Sequence, residues 1–202
     1  PNNPTGTRLS ANQILSLSTV SPKTLVIIDE LYEAFTGDSI LPLVNFHNTP
    51  NLLVLRSLSK TSGLAGLRIG CAIGNPIIID RINRVTGPYD INSFAVTAAF
   101  AALQDQSYVD NYVTEVLNAK RWLKEQLVLH GIRHHIQGGN YCLIWPNRTT
   151  SEITKELKSK GILVRSMEGK LLLNGSIRVS IGTLPQMKRF MKAFNQIDGI
   201  TL

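Results

Sequence analysis

The segment Arg56-Ser57-Leu58-Ser59-Lys60, with Arg68 eight positions beyond the lysine, holds the residues of this sequence best suited to chemistry. Two hydroxyls and a guanidinium near a lysine can hold a phosphate, and the lysine amine can form a Schiff base with an aldehyde. The apolar run Leu52–Leu55 leads into this turn, so the group stands at the end of a strand that reads as buried. A second apolar run, Thr24 to Ile28, ends in Asp29, and Tyr32 follows three residues later. Pro1-Asn2-Asn3-Pro4-Thr5-Gly6 opens the chain with turn chemistry, and Arg178 stands near the other end in Arg178-Val179-Ser180-Ile181-Gly182-Thr183. Each piece alone has an ordinary reading: a solvated lysine, a turn-capping aspartate, an exposed strand arginine, a plain turn. Their order along one chain is what argues for a site.

The elements that must position these groups follow from periodicity. Ser10–Leu17 reads as a short helix. Leu25–Asp29 and Leu52–Leu55 read as strands, the first with the pattern of a strand buried on both faces, and Arg68–Gly74 as a third strand rich in small residues. Ile77–Val85 and Asn92–Leu103 have helical spacing, the latter with an Ala-rich face for close packing. Ser107–His130 is the clearest amphipathic helix, with Val109, Tyr112, Val113, Val116, Leu117, Leu123 and Leu127 along one stripe and Gly131 as its stop. Beyond it the pattern changes to a small α+β unit. Strands are expected at Ile132–Ile136, Tyr141–Trp145, Ile162–Arg165 and Ser176–Ile181. A helix is expected at Thr150–Lys160, capped by Thr150 or Ser151. A last helix opens on a capping box at Thr183 and buries Met187, Phe190, Met191, Phe194 and Ile197. The strand ends that carry Asp29, Ser57 and Lys60 are where parallel α/β sheets bind ligands.

Composition sets the bounds. A chain of 202 residues with 43% hydrophobic and 17% charged residues is globular. The net charge of +7 is scattered, and no interleaved basic and aromatic motif points to nucleic acid. Cys71 and Cys142 have no CxxC spacing and read as free thiols of a reducing, cytoplasmic compartment. The four histidines lack ligand spacing, so no metal is expected. No apolar run reaches the length of a membrane span.

Taken together, these motifs resemble the pyridoxal 5'-phosphate (PLP) enzymes of the aspartate aminotransferase superfamily, fold type I. The finer resemblance is to histidinol-phosphate aminotransferases. It rests on Ser59-Lys60 followed by Gly63-Leu64-Ala65-Gly66-Leu67-Arg68-Ile69-Gly70, on Pro88-Tyr89-Asp90-Ile91-Asn92-Ser93, and on the two arginine segments Gly161–Arg165 and Ile177–Thr183. It runs from Pro1 to about Ile197. Leu31 stands where the family usually has Ala, and Ser57 where many members have Thr.

The resemblance implies a role for each residue. Lys60 would be the Schiff-base lysine and Asp29 the partner of the pyridine nitrogen. Asn3 and Tyr32 would hydrogen-bond the phenolate oxygen. Ser57, Ser59 and Arg68 would hold the phosphate, and Arg165 and Arg178 the anionic end of the substrates. It implies an α/β fold: the later half of the large, mainly parallel-sheet domain over residues 1–106, a connecting helix over 107–131, and a small C-terminal α+β domain over 132–202. It implies transamination between a phosphorylated amino donor, histidinol phosphate, and 2-oxoglutarate, with glutamate as product, in histidine biosynthesis, by a cytoplasmic homodimer. The resemblance begins well inside the family's large domain, so the chain is expected to be a fragment without the family's upstream half. The residues alone are therefore expected to bind PLP weakly and to be inactive. Threonine-phosphate decarboxylase, aromatic aminotransferase and an inactive PLP-binding remnant are the alternatives.

Overall fold

The computed structural model describes residues 1–200; Thr201 and Leu202, the end of the expected small domain, lie outside the described residues. The chain forms two compact units. One comprises Pro1 and Arg8–Asn111, the other Asn2–Thr7 and Tyr112–Leu202.

The first unit begins with helix α1, Ala11–Val20, whose start is fixed by a capping box: Ser10 Oγ accepts from Gln13 N, and the Gln13 side chain accepts from Ser10 N. Strands β1 (Val26–Asp29), β2 (Leu52–Ser57) and β3 (Gly70–Gly74) form a sheet in the order β1-β2-β3. β1 and β2 are parallel, with Val26 opposite Leu52 and Asp29 opposite Leu55. β3 runs antiparallel to β2, so this chain's share of the sheet contains one parallel and one antiparallel pairing. The reversal follows from the Leu58–Ile69 connection, which folds back through a 3-10 turn at Ala65–Leu67 and a left-handed Arg68.

Ile14, Ile40, Leu52 and Val54 form the core of this unit, with Val26, Ile28 and Ile73 packed against them. Here one expectation is corrected. β1 is not buried on both faces: Val26 and Ile28 turn inward while Ile27 remains 53% exposed. The layer of α1 and the loop around Ile40–Phe46 covers one side of the sheet, and alternate side chains of a strand point to opposite sides.

Helix α2 (Pro76–Asn83) starts at an Asn75 cap with Pro76 in its first turn, where a missing N–H costs nothing. Helix α3 (Ser93–Gln104) is capped by Asn92 and buries its alanine face through Ala95 and Ala99.

Helix α4 (Gln106–Leu129) begins in the first unit and continues into the second, where Val116, Ala119, Leu123 and Leu127 are buried. The second unit contains an antiparallel sheet in the order β4-β5-β7-β6, built from His134–His135, Tyr141–Ile144, Ile177–Ser180 and Arg165–Ser166 respectively. β4 and β6 are shorter than their apolar runs. Residues 161–164 are consumed by the exit from helix α5 (Thr150–Ser159), where Ile162 N donates to Leu157 O. The cap of α5 is Thr149, not Thr150 or Ser151, because only Thr149 has a glutamate, Glu152, at the third helical position to complete the capping box.

Helix α6 (Leu184–Asp198) starts at the Thr183–Gln186 capping box and buries Met187, Phe190, Met191, Phe194 and Ile197; the Phe190 and Phe194 rings stack 5.5 Å apart. The opening segment Asn2–Thr7 belongs to this unit. It is a closed turn, with Gly6 N donating to Asn2 O at 2.6 Å, and its Gly6 carbonyl accepts from Gly138 N at 3.1 Å.

Candidate active site

In the first unit the ends of β2 and β3 shape a cavity of about 600 Å³, and its wall includes Ser57, Ser59, Lys60 and Arg68. The local sequence dictates this gathering. Ser57 is the last residue of β2, and its Oγ accepts from Ser59 N at 3.1 Å, which turns the chain sharply out of the sheet. Ser57 Oγ also lies 2.8 Å from Ser59 Oγ, so the two hydroxyls are adjacent. Arg68 reaches the cavity because its backbone is left-handed, at φ 57°, and Arg68 Nη1 is steadied by Ala65 O at 3.1 Å. Lys60 Nζ lies over the Tyr32 ring, 5.4 Å from its centre, and the ring itself is buried. The wall carries hydroxyls, two guanidinium groups and an ammonium, but no carboxylate. That donor set fits a phosphate.

Asp29 is at the C-terminal end of β1 but does not line this cavity. It is exposed, and its Oδ1 accepts from Leu31 N at 2.9 Å, closing the turn that leads to Tyr32.

Behind the cavity lies an ion-pair network that the motifs did not reveal. Arg56 Nε is 2.9 Å from Glu30 Oε2, and Arg56 Nη1 meets Glu33. Glu30 is buried, and its carboxylate also accepts from Ser39 Oγ at 2.8 Å and Ile40 N at 2.6 Å. The Glu33 carboxyl is pushed above the ordinary carboxylate range by burial, against the lowering pull of Arg56. The network ties the Asp29–Tyr32 turn to the strand that carries Ser57. Its only signal in the sequence was opposite charges directly after two adjacent apolar strands.

The second unit holds the other three site residues. Asn3 Oδ1 accepts from Arg178 Nη1 at 2.9 Å. Arg178 Nε is buried and has no hydrogen-bond partner among the described residues. Arg165 on β6 sits directly opposite Arg178 on β7. Like charges at such a cross-strand position repel, and an unpaired buried N–H is costly, so an anion is the kind of group that would relieve both. Among the described residues no group of three His, Cys, Asp or Glu side chains is placed to hold a metal, and no helix is long and apolar enough to cross a membrane.

A chain with this lysine turn and this arginine pair belongs to the aminotransferase class I and II family, whose pattern it matches over residues 1–194. Its fold is fold type I. The chain is 37% identical to histidinol-phosphate aminotransferase 1 of Oceanobacillus iheyensis over 98% of its own length and 56% of the relative's. It is 35% identical to histidinol-phosphate aminotransferase 2 of Pasteurella multocida over 99% and 55%. The histidinol-phosphate aminotransferase of Sinorhizobium meliloti, solved in complex with pyridoxal-5'-phosphate, superposes with a TM-score of 0.86 at 25% identity, covering 98% of this chain and 55% of that one. L-threonine-O-3-phosphate decarboxylase of Porphyromonas gingivalis superposes with a TM-score of 0.78 at 25% identity, covering 97% and 62%. The chain thus spans about half the length of the curated relatives it matches.

Proposed function

We propose that these residues supply the lysine, the phosphate cup and the anion-gripping arginines of a PLP-dependent aminotransferase acting on histidinol phosphate, with 2-oxoglutarate as the amino acceptor. The observation that carries the reading is the carboxylate-free cavity wall of Ser57, Ser59, Lys60 and Arg68 at the end of β2. Bound there, PLP would supply an electron sink for the carbon bearing the amine.

The chain's own groups have distinct tasks. Ser57, Ser59 and Arg68 bind the phosphate through charge-assisted hydrogen bonds. Lys60 would hold the cofactor through its amine, and the same amine is placed to act as the base that would move a proton at the substrate carbon. Asp29 is the carboxylate assigned to the pyridine nitrogen, and Tyr32 and Asn3 are the donors assigned to the phenolate oxygen. Arg178 has its Nη1 committed to Asn3 and its Nε unsatisfied, so it can accept an oxyanion without breaking an ion pair. With Arg165 opposite, the pair suits a phosphate dianion in one half-reaction and a glutamate carboxylate in the other. A homodimer and a place in histidine biosynthesis belong to the same proposal; only the second is supported by the names of the relatives.

Turnover decides the reading. A protein that carries these residues within the full length of its relatives should transaminate histidinol phosphate far faster than histidinol. Arg178→Ala should weaken histidinol phosphate and glutamate together, and Asp29→Asn should lower the rate far more than Tyr32→Phe. Equal rates with histidinol and its phosphate would remove phosphate recognition. Carbon dioxide released from threonine phosphate would favour the decarboxylase, whose solved relative matches nearly as much of the chain.

A further inference from the structure

Asn3 does not reach Arg178 by itself; a set of contacts holds its whole segment on the C-terminal sheet. Tyr141, the first residue of β5, is 3% exposed and donates its hydroxyl to Asn2 O at 2.6 Å. His135 on β4 places Nε2 2.7 Å from Thr5 O, a contact in which the ring must donate because a carbonyl only accepts. Between these two anchors the Gly6 carbonyl takes the Gly138 N–H. The approach is so close that a Cβ on Gly6 would lie 2.6 Å from Gly138 O, and the residue's φ of +72° disfavours any side chain. The receiving loop is braced in turn. Lys120 of α4 donates to Gln137 O and, at 3.0 Å, to Gly139 O, while a Cβ on Gly139 would collide with the Tyr141 ring. Hydrogen bonds on both sides of Asn3 thus fix a strap, residues 2–7, to the sheet that carries Arg178.

We propose that Tyr141 and His135 are positioning residues: they dock the strap so that Asn3 Oδ1 stays on Arg178 and fixes the guanidinium for its anion. The proposal rests on the anion-gripping role given to Arg178 above. It makes the opening turn a working part of the C-terminal unit, although more than a hundred residues separate them in sequence. Tyr141 touches neither substrate nor cofactor in this scheme and acts only through Asn3.

Two measurements on the described chain test it. In hydrogen exchange followed by mass spectrometry, the peptide covering residues 1–9 should exchange about 3- to 10-fold faster in Tyr141→Phe, the size of one lost neutral hydrogen bond. Gly6→Ala should accelerate it further, and neither variant should change protection of the β5–β7 core. Inorganic phosphate titrated against the protein should then bind several-fold more weakly in Tyr141→Phe. That loss should vanish when Asn3→Ala is already present, because coupled residues are not additive. Unchanged exchange in both Tyr141→Phe and Gly6→Ala would overturn the docking. An equal loss of phosphate affinity with and without Asn3 would overturn the positioning role, since Tyr141 would then act on the sheet itself. A protein that bound no phosphate at all would instead overturn the role of Arg178 on which the proposal rests. Retained phosphate affinity in Tyr141→Phe would overturn only the role of Tyr141.

Discussion

Helices α3 and α6 are both rich in large apolar side chains, and they use them in opposite ways. In the C-terminal unit α6 buries Met187, Phe190, Met191, Phe194 and Ile197. In the N-terminal unit α3 buries only alanines, leaving Phe94 81%, Phe100 65% and Leu103 66% exposed. Taken over whole units, the C-terminal one encloses more than twice as many apolar side chains, among the described residues, as the N-terminal one. The C-terminal unit therefore has a closed core that most of α4, helices α5 and α6 and four strands complete. The N-terminal unit has a three-stranded sheet packed on one side, and its chemistry is carried by turns at the strand ends. The difference teaches that the two sets of candidate residues, one in each unit, rest on unequal foundations. The arginine pair stands on a packed sheet, and the lysine turn depends on local hydrogen bonds and one ion-pair network.

The largest expected effect tests the lysine turn. After incubation with PLP and borohydride reduction, peptide mapping should place the pyridoxyl group on Lys60, and Lys60→Ala should remove that label completely. A label on another lysine would detach the cavity from its assigned chemistry. Thiol labelling should also be all-or-none. Cys71 is exposed on the cavity wall and should react in the folded protein, with PLP slowing it. Cys142 is buried in β5, which pushes its thiol up to about 12, so it should react only after unfolding.

The packing contrast has its own scale. Phe194→Ala removes a fully buried ring and should cost about 3–5 kcal/mol in denaturant unfolding. Phe100→Ala removes an exposed one and should change stability by no more than about 0.5 kcal/mol. Comparable losses would mean that α3 is covered after all. Within the N-terminal unit, Glu30→Ala strips the buried carboxylate from Arg56, Ser39 and Ile40, and should cost about 3 kcal/mol without altering exchange in the C-terminal sheet.

The smallest effect is a pH dependence at Glu33. Its folded-state value is raised, so its contribution favours the folded state below the ordinary value of 4.5 and is lost as pH rises through the raised one. Over that window wild-type stability should decline relative to Glu33→Gln, and the two curves should run parallel above it. A wild type that gained stability relative to the variant as pH rose would mean that Arg56 outweighs burial at this carboxylate.

Most secondary structure was legible because short-range signals set it. The Thr183–Gln186 capping box announced the start of α6, and the helices expected from Ser10 and Asn92 begin one residue later, with those two side chains as their caps. The α5 cap was misread by one or two residues because Thr149, Thr150 and Ser151 can each serve, and only the side chain three positions on distinguishes them. The face of β1 was misread because an unbroken apolar run cannot say whether both sides of a strand are covered. The Glu30–Arg56–Glu33 network was not legible, since pairing across strands depends on register.

The sequence by itself determined the lysine turn, the arginine segments and the family, because each is a local pattern of residue types. Only the tertiary structure decided that Ser57, Ser59, Lys60 and Arg68 face one cavity while Asp29 stands outside its wall. It alone set Arg165 opposite Arg178, through the β6–β7 register, and Asn3 on Arg178, through the docking of residues 2–7 on β4 and β5. The physical reason is distance along the chain. Caps, turns and periodicity act within a few residues, whereas strand register and close backbone approach join segments that the sequence keeps far apart.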